Sequence, residues 1–252
     1  MKSAYKDITY FEDSSIKVNR QNYKKRQSDM LPHDHDYLTV SLLLAGSLIE
    51  HTSMGTETVK AGSVLIKPSG LIHGDIFTEN CTLLSLKIYD WDYYRFDLKN
   101  WEIIQQNILL KNFLKIVTSK NKKEGLNQLK TDIAFITNKT DIKKTVPHKI
   151  KHVRKLIDTR FLEPIQITQL AKEVHMHPVH LGRTFKAHYK IDIKAYQQQL
   201  RTHFAVSEML AKKNNLTQIA HATGYSDQSH FSREFKKSTD FSPKKIATLL
   251  NV

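Results

Sequence analysis

Apolar and polar residues alternate, or gather into short apolar blocks, between about Lys17 and Tyr89, and this is the period at which successive side chains of an extended chain point to opposite faces. The blocks predict strands at Leu38–Leu44, Ser47–His51, Glu57–Lys60, Ser63–Ile66 and Thr82–Ile88, punctuated by Gly46, Gly55, Gly62 and Gly70 with Pro68. Many short strands with regular turns imply a sandwich or a small barrel. The period then changes. Trp101, Ile104, Ile108, Leu109, Phe113, Leu114, Ile116 and Val117 recur at helical spacing, as do Leu126, Leu129, Ile133, Phe135 and Ile136. Two antiparallel helices broken near Thr118–Gly125 are expected, either covering the β unit or offering an apolar ridge to a second copy of the chain. A polar, charged run from Asn138 to Lys144, ending near Pro147, reads as a linker.

Beyond Pro147 the pattern is helical throughout, and it repeats. Leu170-Ala171 corresponds to Ile219-Ala220 at an offset of 49 residues; His180-Leu181, Arg183 and Phe185-Lys186 correspond to His230-Phe231, Arg233 and Phe235-Lys236 at an offset of 50. One residue is thus gained near a turn. Two helix-turn-helix units in tandem are expected, joined by a long amphipathic helix over Ala195–Lys212 marked by Tyr196, Leu200, Phe204, Met209 and Leu210. The alternative, a solenoid of helix pairs, needs further repeats to bury its ends, and none is visible. In the second unit Gly224 suits a left-handed turn, Ser226 suits a helix cap, and Phe231 and Phe235 share one apolar stripe. Gln228, Ser229, Ser232, Arg233 and Lys236 form a neighbouring stripe of hydrogen-bond donors, suited to base edges and phosphates in a major groove. An ordinary solvated helix face has the same look.

Charge discriminates between these. The chain of 252 residues carries a net charge of +14, of which residues 1–140 contribute +3 and residues 141–252 contribute +11, so a polyanionic partner belongs to the second half. One cysteine, Cys81, excludes a disulfide framework and a cysteine zinc finger. The first residues hold no apolar run of signal-peptide type, which places the protein in the cytoplasm. No nucleophile–base pair, glycine-rich phosphate loop or acid pair stands out, so an enzyme is not expected. His175, His177 and His180 invite a zinc reading, but they straddle a turn and a helix start; added positive charge toward DNA is the more economical role.

Two local signatures stand in the first half: His33-x-His35 ahead of a strand with Gly46 further on, and Gly62-x5-Pro68-x-Gly70-x2-His73. They resemble the two motifs of the cupin barrel, whose histidines bind a divalent metal at the barrel mouth. Thr39 stands where the first motif carries its glutamate ligand, and Phe77 where the second ends in asparagine. No metal or other cofactor is therefore expected, although His33, His35 and His73 are the residues that would hold one. With Tyr37 they are the candidate effector pocket; Tyr37, Asp75 and the histidines read equally as pocket polar groups.

Residues 148–246 resemble the DNA-binding domain of AraC-family transcription regulators. The resemblance is carried by Leu170-Ala171, Pro178, Leu181, Arg183, Phe185 and Lys186; by Arg201 and Ala205; and by Ile219-Ala220, Gly224 through Arg233, Phe235-Lys236 and Ser242-Pro243. It implies DNA contacts from His180, Arg183 and Lys186 in the first unit and from Gln228, Ser229, Ser232, Arg233 and Lys236 in the second, with the two lysines on phosphates. Five positions depart from the family. Lys190 and Asp240 replace the glycine after each recognition helix, which strains a left-handed turn there. Gln166 replaces a Ser/Thr cap, and Val179 and Gly182 replace base-reading side chains.

The expected fold is α+β and multidomain: a cupin-like effector-binding barrel at residues 1–96, a helical segment at 97–140 as a candidate for dimerisation, a linker at 141–147, and an all-α AraC-type domain at 148–252. The expected function is a sequence-specific transcription regulator, a homodimer on double-stranded DNA controlled by a small-molecule effector, with RNA polymerase as a further candidate partner and no membrane. A regulator whose barrel serves only to dimerise is a second possibility. The alternative from another class is a metal-dependent cupin enzyme fused to a DNA-binding module.

Overall fold

The computed structural model describes residues 5–24, 27–53, 55–89, 102–104, 107–119, 121–138 and 146–250. The chain divides into two compact units, Met1–Asn138 and Lys139–Val252. The expected helical segment therefore belongs with the β unit. Residues 141–145 of the expected linker lie outside the described residues.

The first unit holds strands β1 (Tyr5–Glu12), β2 (Ile16–Tyr23), β3 (Gln27–His33), β4 (Leu38–Ala45), β5 (Ser47–Thr52), β6 (Gly55–Lys60), β7 (Val64–Lys67), β8 (His73–Phe77), β9 (Cys81–Ile88) and β10 (Glu102–Ile104). They form a six-stranded sheet in the order β1-β2-β9-β4-β7-β10 and a four-stranded sheet in the order β3-β8-β5-β6. In the centre of the larger sheet β4 and β9 show why the register is set. Leu38, Val40 and Leu42 pair with Ile88, Leu86 and Leu84, and all six are buried on one face. On the opposite face Thr39 pairs with Lys87 and Ser41 with Ser85, and both serines are buried too. A slip of one residue would exchange these faces. The strand is thus apolar on one side and polar on the other, with solvent on neither side at its centre.

Strand β10 corrects the sequence pattern. Ile104 counts toward the helical periodicity, yet residues 102–104 pair antiparallel with Val64–Ile66 and extend the sheet at the edge left open by β7. A three-residue apolar run does not distinguish helix from strand, and the unpaired backbone of an edge strand decides it. Trp101 lies outside the described residues, and so do the side chains of Ile104, Ile108, Leu109, Ile133, Phe135 and Ile136. Helix α1 spans Asn107–Thr118 and α2 spans Lys122–Asn138, so the interruption between them is shorter than expected. Phe113, Leu114, Ile116, Leu126 and Leu129 are buried. Gly125 sits inside α2 because a Cβ there would stand 2.9 Å from Ile116 Cγ1, closer than the two helices allow.

The second unit is helical: α3 (His148–Arg160), α4 (Ile167–Glu173), α5 (Pro178–Tyr189), α6 (Ile193–Ala211), α7 (Leu216–Ala222), α8 (Gln228–Thr239) and α9 (Pro243–Leu249). Helices α4 and α7 start 49 residues apart and α5 and α8 start 50 apart, as the internal repeat requires. The inserted residue is in the second turn. His175 takes the left-handed conformation in the first turn (φ 50°), and Gly224 takes it in the second (φ 79°). Each unit buries one pair of side chains four apart: Leu181 and Phe185 in α5, Phe231 and Phe235 in α8. A single core cluster joins α3, α4, α5 and the start of α6 through Ile150, Val153, Ile157, Leu170, Phe185 and Tyr196.

The caps refine the sequence picture. Asp227 caps α8, accepting from His230 N at 2.7 Å, while Ser226 Oγ donates to Asp227 instead of capping the helix itself. Asp192 caps α6 by accepting from Ala195 N at 2.9 Å, so that helix begins earlier than the apolar pattern suggests. Gln166 precedes α4 and makes no side-chain cap, as its replacement of Ser/Thr foretells. Lys190 (φ 59°) and Asp240 (φ 65°) both keep the left-handed turn after their helices, with their backbone N–H groups bonded to Lys186 O and Lys236 O. A side chain in that conformation costs about 1–2 kcal/mol. We therefore expect Lys190→Gly to raise the denaturant midpoint of the full chain by the equivalent of about 1 kcal/mol, part of the strain being offset by the Lys190 Nζ bond to Ala187 O at 2.7 Å. A lowered midpoint would show the turn to be unstrained.

Candidate nucleic-acid interface and cavity

The second unit turns one stripe of each recognition helix inward and leaves the other outside. On α8 Gln228, Ser229, Arg233 and Lys236 are exposed and Ser232 is half-buried; on α5 His180, Arg183 and Lys186 are exposed. None of Arg183, Lys186, Arg233 and Lys236 has a carboxylate partner among the described residues. Gln228 is partly engaged, since its Oε1 accepts from Thr217 Oγ1 at 2.7 Å and only the amide N–H groups point outward without that tie. Val179 is exposed at 54%, and nothing lies within 4 Å of where a Cβ on Gly182 would stand. The outer face of α5 therefore carries an apolar patch and a bare backbone where α8 carries Ser229 and Ser232.

The two helix pairs are fixed by Arg201 of α6. It donates to Phe161 O at 2.7 Å, to Leu162 O at 3.1 Å and to Glu163 O at 3.0 Å, and its guanidinium lies 5.7 Å from the centroid of the Tyr225 ring. Arg201 is a structural clamp on the α3–α4 loop, and its place in the family resemblance needs no DNA contact. His175, His177 and His180 line a groove of about 500 Å³ with His148, Lys149 and Met176. They do not converge as metal ligands. Among the described residues, three ligand atoms come within 4.8 Å of one another only in the sets His33–His35–His73 and Glu50–His73–Asp75.

Both of those sets lie in the first unit, at a cavity of about 180 Å³ lined by strands of both sheets. Here the structure brings together what the sequence separates. The His33 ring centroid lies 4.9 Å from that of His35 and 4.5 Å from that of His73, and His35 stacks on Tyr37 at 4.8 Å. Burial lowers the His35 pKa to about 4, with the charges of His73 and His33 adding to the shift. His73 is also lowered, by burial and then by the charge of Lys67. His73 Nδ1 bonds to Leu71 O at 2.8 Å, so it carries the proton, and Nε2 is a buried acceptor with no hydrogen-bond partner among the described residues. Three converging imidazoles, two of them with lowered pKa values, suit a divalent ion.

The second set already holds a cation. Lys67 Nζ lies 2.8 Å from Asp75 Oδ1, 3.0 Å from Asp75 Oδ2 and 2.9 Å from Glu50 Oε2. Glu50 is fully buried, and burial raises its pKa to about 9, followed by its contact with Asp75. Asp75 is lowered because the Lys67 charge and bonds from Glu50 and Lys67 outweigh its own burial. Glu50 thus favours its neutral form while Asp75 keeps its charge as the counter-ion of Lys67, which disfavours a divalent ion in this set. The sequence reading includes Asp75 as a pocket group but misses Glu50 and Lys67. The available signal was a charged residue at an inward position of a strand: Glu50 two places after buried Leu48 in β5, and Lys67 at the end of the buried run of β7.

The Glu50 shift has a measurable sign. A folded-state pKa of about 9 against an ordinary 4.5 means that the folded chain keeps a proton the unfolded chain releases. Stability of the first unit then falls as pH rises from about 4.5 toward about 9. Glu50→Gln removes the titration, and we expect it to flatten that part of the curve and to match or exceed the wild-type midpoint at pH 8. A wild-type slope retained in the variant would place the proton elsewhere.

Lys87 is the other cation at the cavity. It is half-buried, donates to Tyr37 OH at 3.0 Å and lies 4.8 Å from the centroid of that ring. Ser41 Oγ and Ser85 Oγ are 3.0 Å apart beside it. At the other end Tyr23 and Phe77 stack at 3.9 Å over a cluster that includes Leu48, Leu65 and Leu83.

Residues 170–248 match the protein-family model described as a helix-turn-helix domain. The bifunctional transcriptional activator and DNA repair enzyme AdaA of Bacillus subtilis is 31% identical over 94 residues, covering 37% of this chain and 44% of that protein. The chain thus matches less than half of that relative's length. The transcriptional activator RhaS of Escherichia coli is 19% identical over 245 residues, covering 87% of this chain and 88% of that protein. A structure of ToxT from Vibrio cholerae with an unsaturated fatty acid bound aligns with a TM-score of 0.41 at 16% identity, covering 95% of this chain and 97% of that one. No described helix is long and apolar enough to cross a membrane.

Proposed function

We propose that this chain, whose carboxy-terminal unit is a helix-turn-helix domain of the AraC type, is a sequence-specific transcription regulator of the cytoplasm in which a small ligand in the amino-terminal cavity alters how the basic unit is presented to DNA. The carrying observation is the repeated division of α5 and α8 into a buried pair four residues apart and an exposed cationic stripe without carboxylate partners. Such a stripe is stable in solution and ready for phosphates and base edges. Gln228, Ser229, Ser232 and Arg233 read bases or contact phosphate in the second unit. His180 and Arg183 serve the first unit, and Lys186 and Lys236 neutralise phosphates. Two such helices on one connecting helix suit successive major grooves about 34 Å apart. A homodimer through α1 and α2, and contact with RNA polymerase, complete the proposal.

Because α5 presents Val179 and Gly182 where α8 presents serines, the second unit carries most of the base reading. Arg233→Ala should weaken binding to a DNA site enriched from a random pool by about 1–3 kcal/mol and relax base preference at one position. Arg183→Ala should cost up to the same amount, with less effect on preference. Lys236→Ala should weaken all sequences alike and lower the salt slope by about 1. Titrations of labelled duplexes at several salt concentrations measure all three; wild-type affinity and preference in both arginine variants would refute the assignment.

The convergence of His33, His35 and His73 favours a second reading, a metal-dependent enzyme fused to a DNA-binding module. Stoichiometric iron, manganese or zinc in the purified protein, lost on His33→Ala with His73→Ala, would support it.

A further inference from the structure

We propose that the cavity of the amino-terminal unit binds a small hydroxylated carboxylate, an aldonic or uronic acid of five or six carbons, with the carboxylate on Lys87 and Tyr37 and the hydroxyls along Gln21, Ser41 and Ser85. This rests on the reading of that unit as the ligand-binding part of the regulator and names the class of ligand.

Charge decides the first part. Two lysines reach the cavity. Lys67 is answered within the protein by Asp75 and Glu50 at 2.8 and 2.9 Å. Lys87 has no carboxylate partner among the described residues, and its one hydrogen bond is to a phenol oxygen that accepts without cancelling the charge. Lys87 is half-buried on the cavity wall, and a single negative charge supplied by a ligand answers it. A neutral sugar leaves the cation unanswered, and a dianion brings one charge too many.

The walls decide the second part. Ser41 and Ser85 face each other at 3.0 Å from paired positions of adjacent central strands, both buried, and Ser85 Oγ lies 3.4 Å from Gln21 Oε1. Hydroxyl and amide groups kept inside a sheet have no structural need to be there, since an apolar pair packs those positions without desolvation. They are, however, suited to accept and donate to several ligand hydroxyls at once. The stacked rings of Tyr23 and Phe77 at the far end offer an apolar surface to the C–H side of a sugar-like carbon chain.

Size decides the third. The volume of about 180 Å³ is below the roughly 300–1,000 Å³ of sites for drug-sized ligands, which suits five or six carbons and is too small for a long acyl chain.

The experiment uses the full chain, with calorimetry and thermal shift against a panel of five- and six-carbon aldonates and uronates, gluconate and galacturonate among them, their uncharged counterparts glucitol and galactose, and octanoate. At least one acid is expected to bind saturably, with its uncharged counterpart at least tenfold weaker and octanoate without effect. Lys87→Met should weaken the acid at least tenfold and Lys87→Arg should restore part of the loss. Circular dichroism during unfolding verifies that both variants are folded, and Tyr37→Phe, with a smaller loss, provides a second test if Lys87→Met is not. No binding by any acid, equal binding of the uncharged counterparts, tighter binding of octanoate, or full affinity in Lys87→Met overturns the inference. DNA affinity measured in parallel separates the two levels. Salt-sensitive DNA binding without acid binding sinks only the ligand class. Acid binding without any DNA binding sinks the regulator.

Discussion

Asparagine in place of Asp75 should destabilise the amino-terminal unit by about 3–5 kcal/mol, the cost of leaving one member of a buried ion pair without its partner. Lys67 Nζ is held between Asp75 and Glu50, and the three side chains have at most a small fraction of their surface open to solvent. With Asp75 neutral, either the Glu50 carboxyl group, itself fully buried and raised to about 9, must release its proton to solvent to become the counter-ion, or the Lys67 ammonium must lose its own proton. Either route is unfavourable near neutral pH. The wild-type contribution of Asp75 has the opposite pH sign to that of Glu50. Its pKa is lowered, so its stabilisation is present above the ordinary carboxylate value and is lost as pH falls through the folded-state value. Urea unfolding of the full chain followed by far-ultraviolet circular dichroism, with limited proteolysis to assign the transition to this unit, reports the change. A loss below about 1 kcal/mol would mean that Lys67 finds water or another acceptor. Replacing Lys67 by Met together with Asp75 by Asn should recover most of the loss, because a neutral pair needs no counterion.

Alanine at Gly224 should destabilise the carboxy-terminal unit by roughly 2–5 kcal/mol and abolish DNA binding in the same preparation, through two separate mechanisms. The backbone there is left-handed (φ 79°), which costs a side chain about 1–2 kcal/mol. A Cβ would also lie 2.6 Å from Leu162 O and 2.8 Å from Arg201 Nη2, so the carbonyl and the guanidinium that clamps it must both move. Overpacking of that kind adds about 1–3 kcal/mol. The turn carries the Asp227 cap and hence the start of α8, so strain at Gly224 reaches Gln228 and Arg233 directly. Protease resistance of residues 146–250 should fall while that of the amino-terminal unit is unchanged. A variant with wild-type resistance and affinity would show that the α3–α4 loop yields freely. The contrast with His175 is useful here. It occupies the matching turn of the first unit with φ 50°, and its chain tolerates a side chain in a place where Gly224 does not.

Much of this was legible from the chain. The internal offset of 49 and then 50 residues reappears as the spacing of α4 to α7 and of α5 to α8, because helix pairs with the same buried stripe and a turn one residue longer leave a countable trace. The exposed stripe of α8 was legible for the same reason: Phe231 and Phe235 fix which side of the helix is inside, and the position of every other side chain follows from 3.6 residues per turn. The left-handed turn at Gly224 was legible from its residue type. The cap was not, since Ser226 and Asp227 are both good caps and adjacent, and only the path of the backbone decides between them.

Strand β10 was illegible because it is three residues long and owes its existence to the open edge of β7, a partner forty residues away. The cavity was half legible. Local spacing marks His33, His35 and His73, and their rings do meet, but Lys67, Glu50 and Lys87 come from β7, β5 and β9, and no local pattern joins them. Strand pairing joins them instead: Glu50 lies opposite Asp75 and Thr39 opposite Lys67 and Lys87. By itself, then, the order of residues determined the periodicities, the repeat, the charge gathered in the second half and the faces of the recognition helices, all of which depend on neighbours a few positions apart. Which buried acid keeps its proton, which lysine is neutralised and which is left for a ligand were decided only by tertiary structure, because burial and ion pairing are set by groups that the fold, and not the chain, makes neighbours.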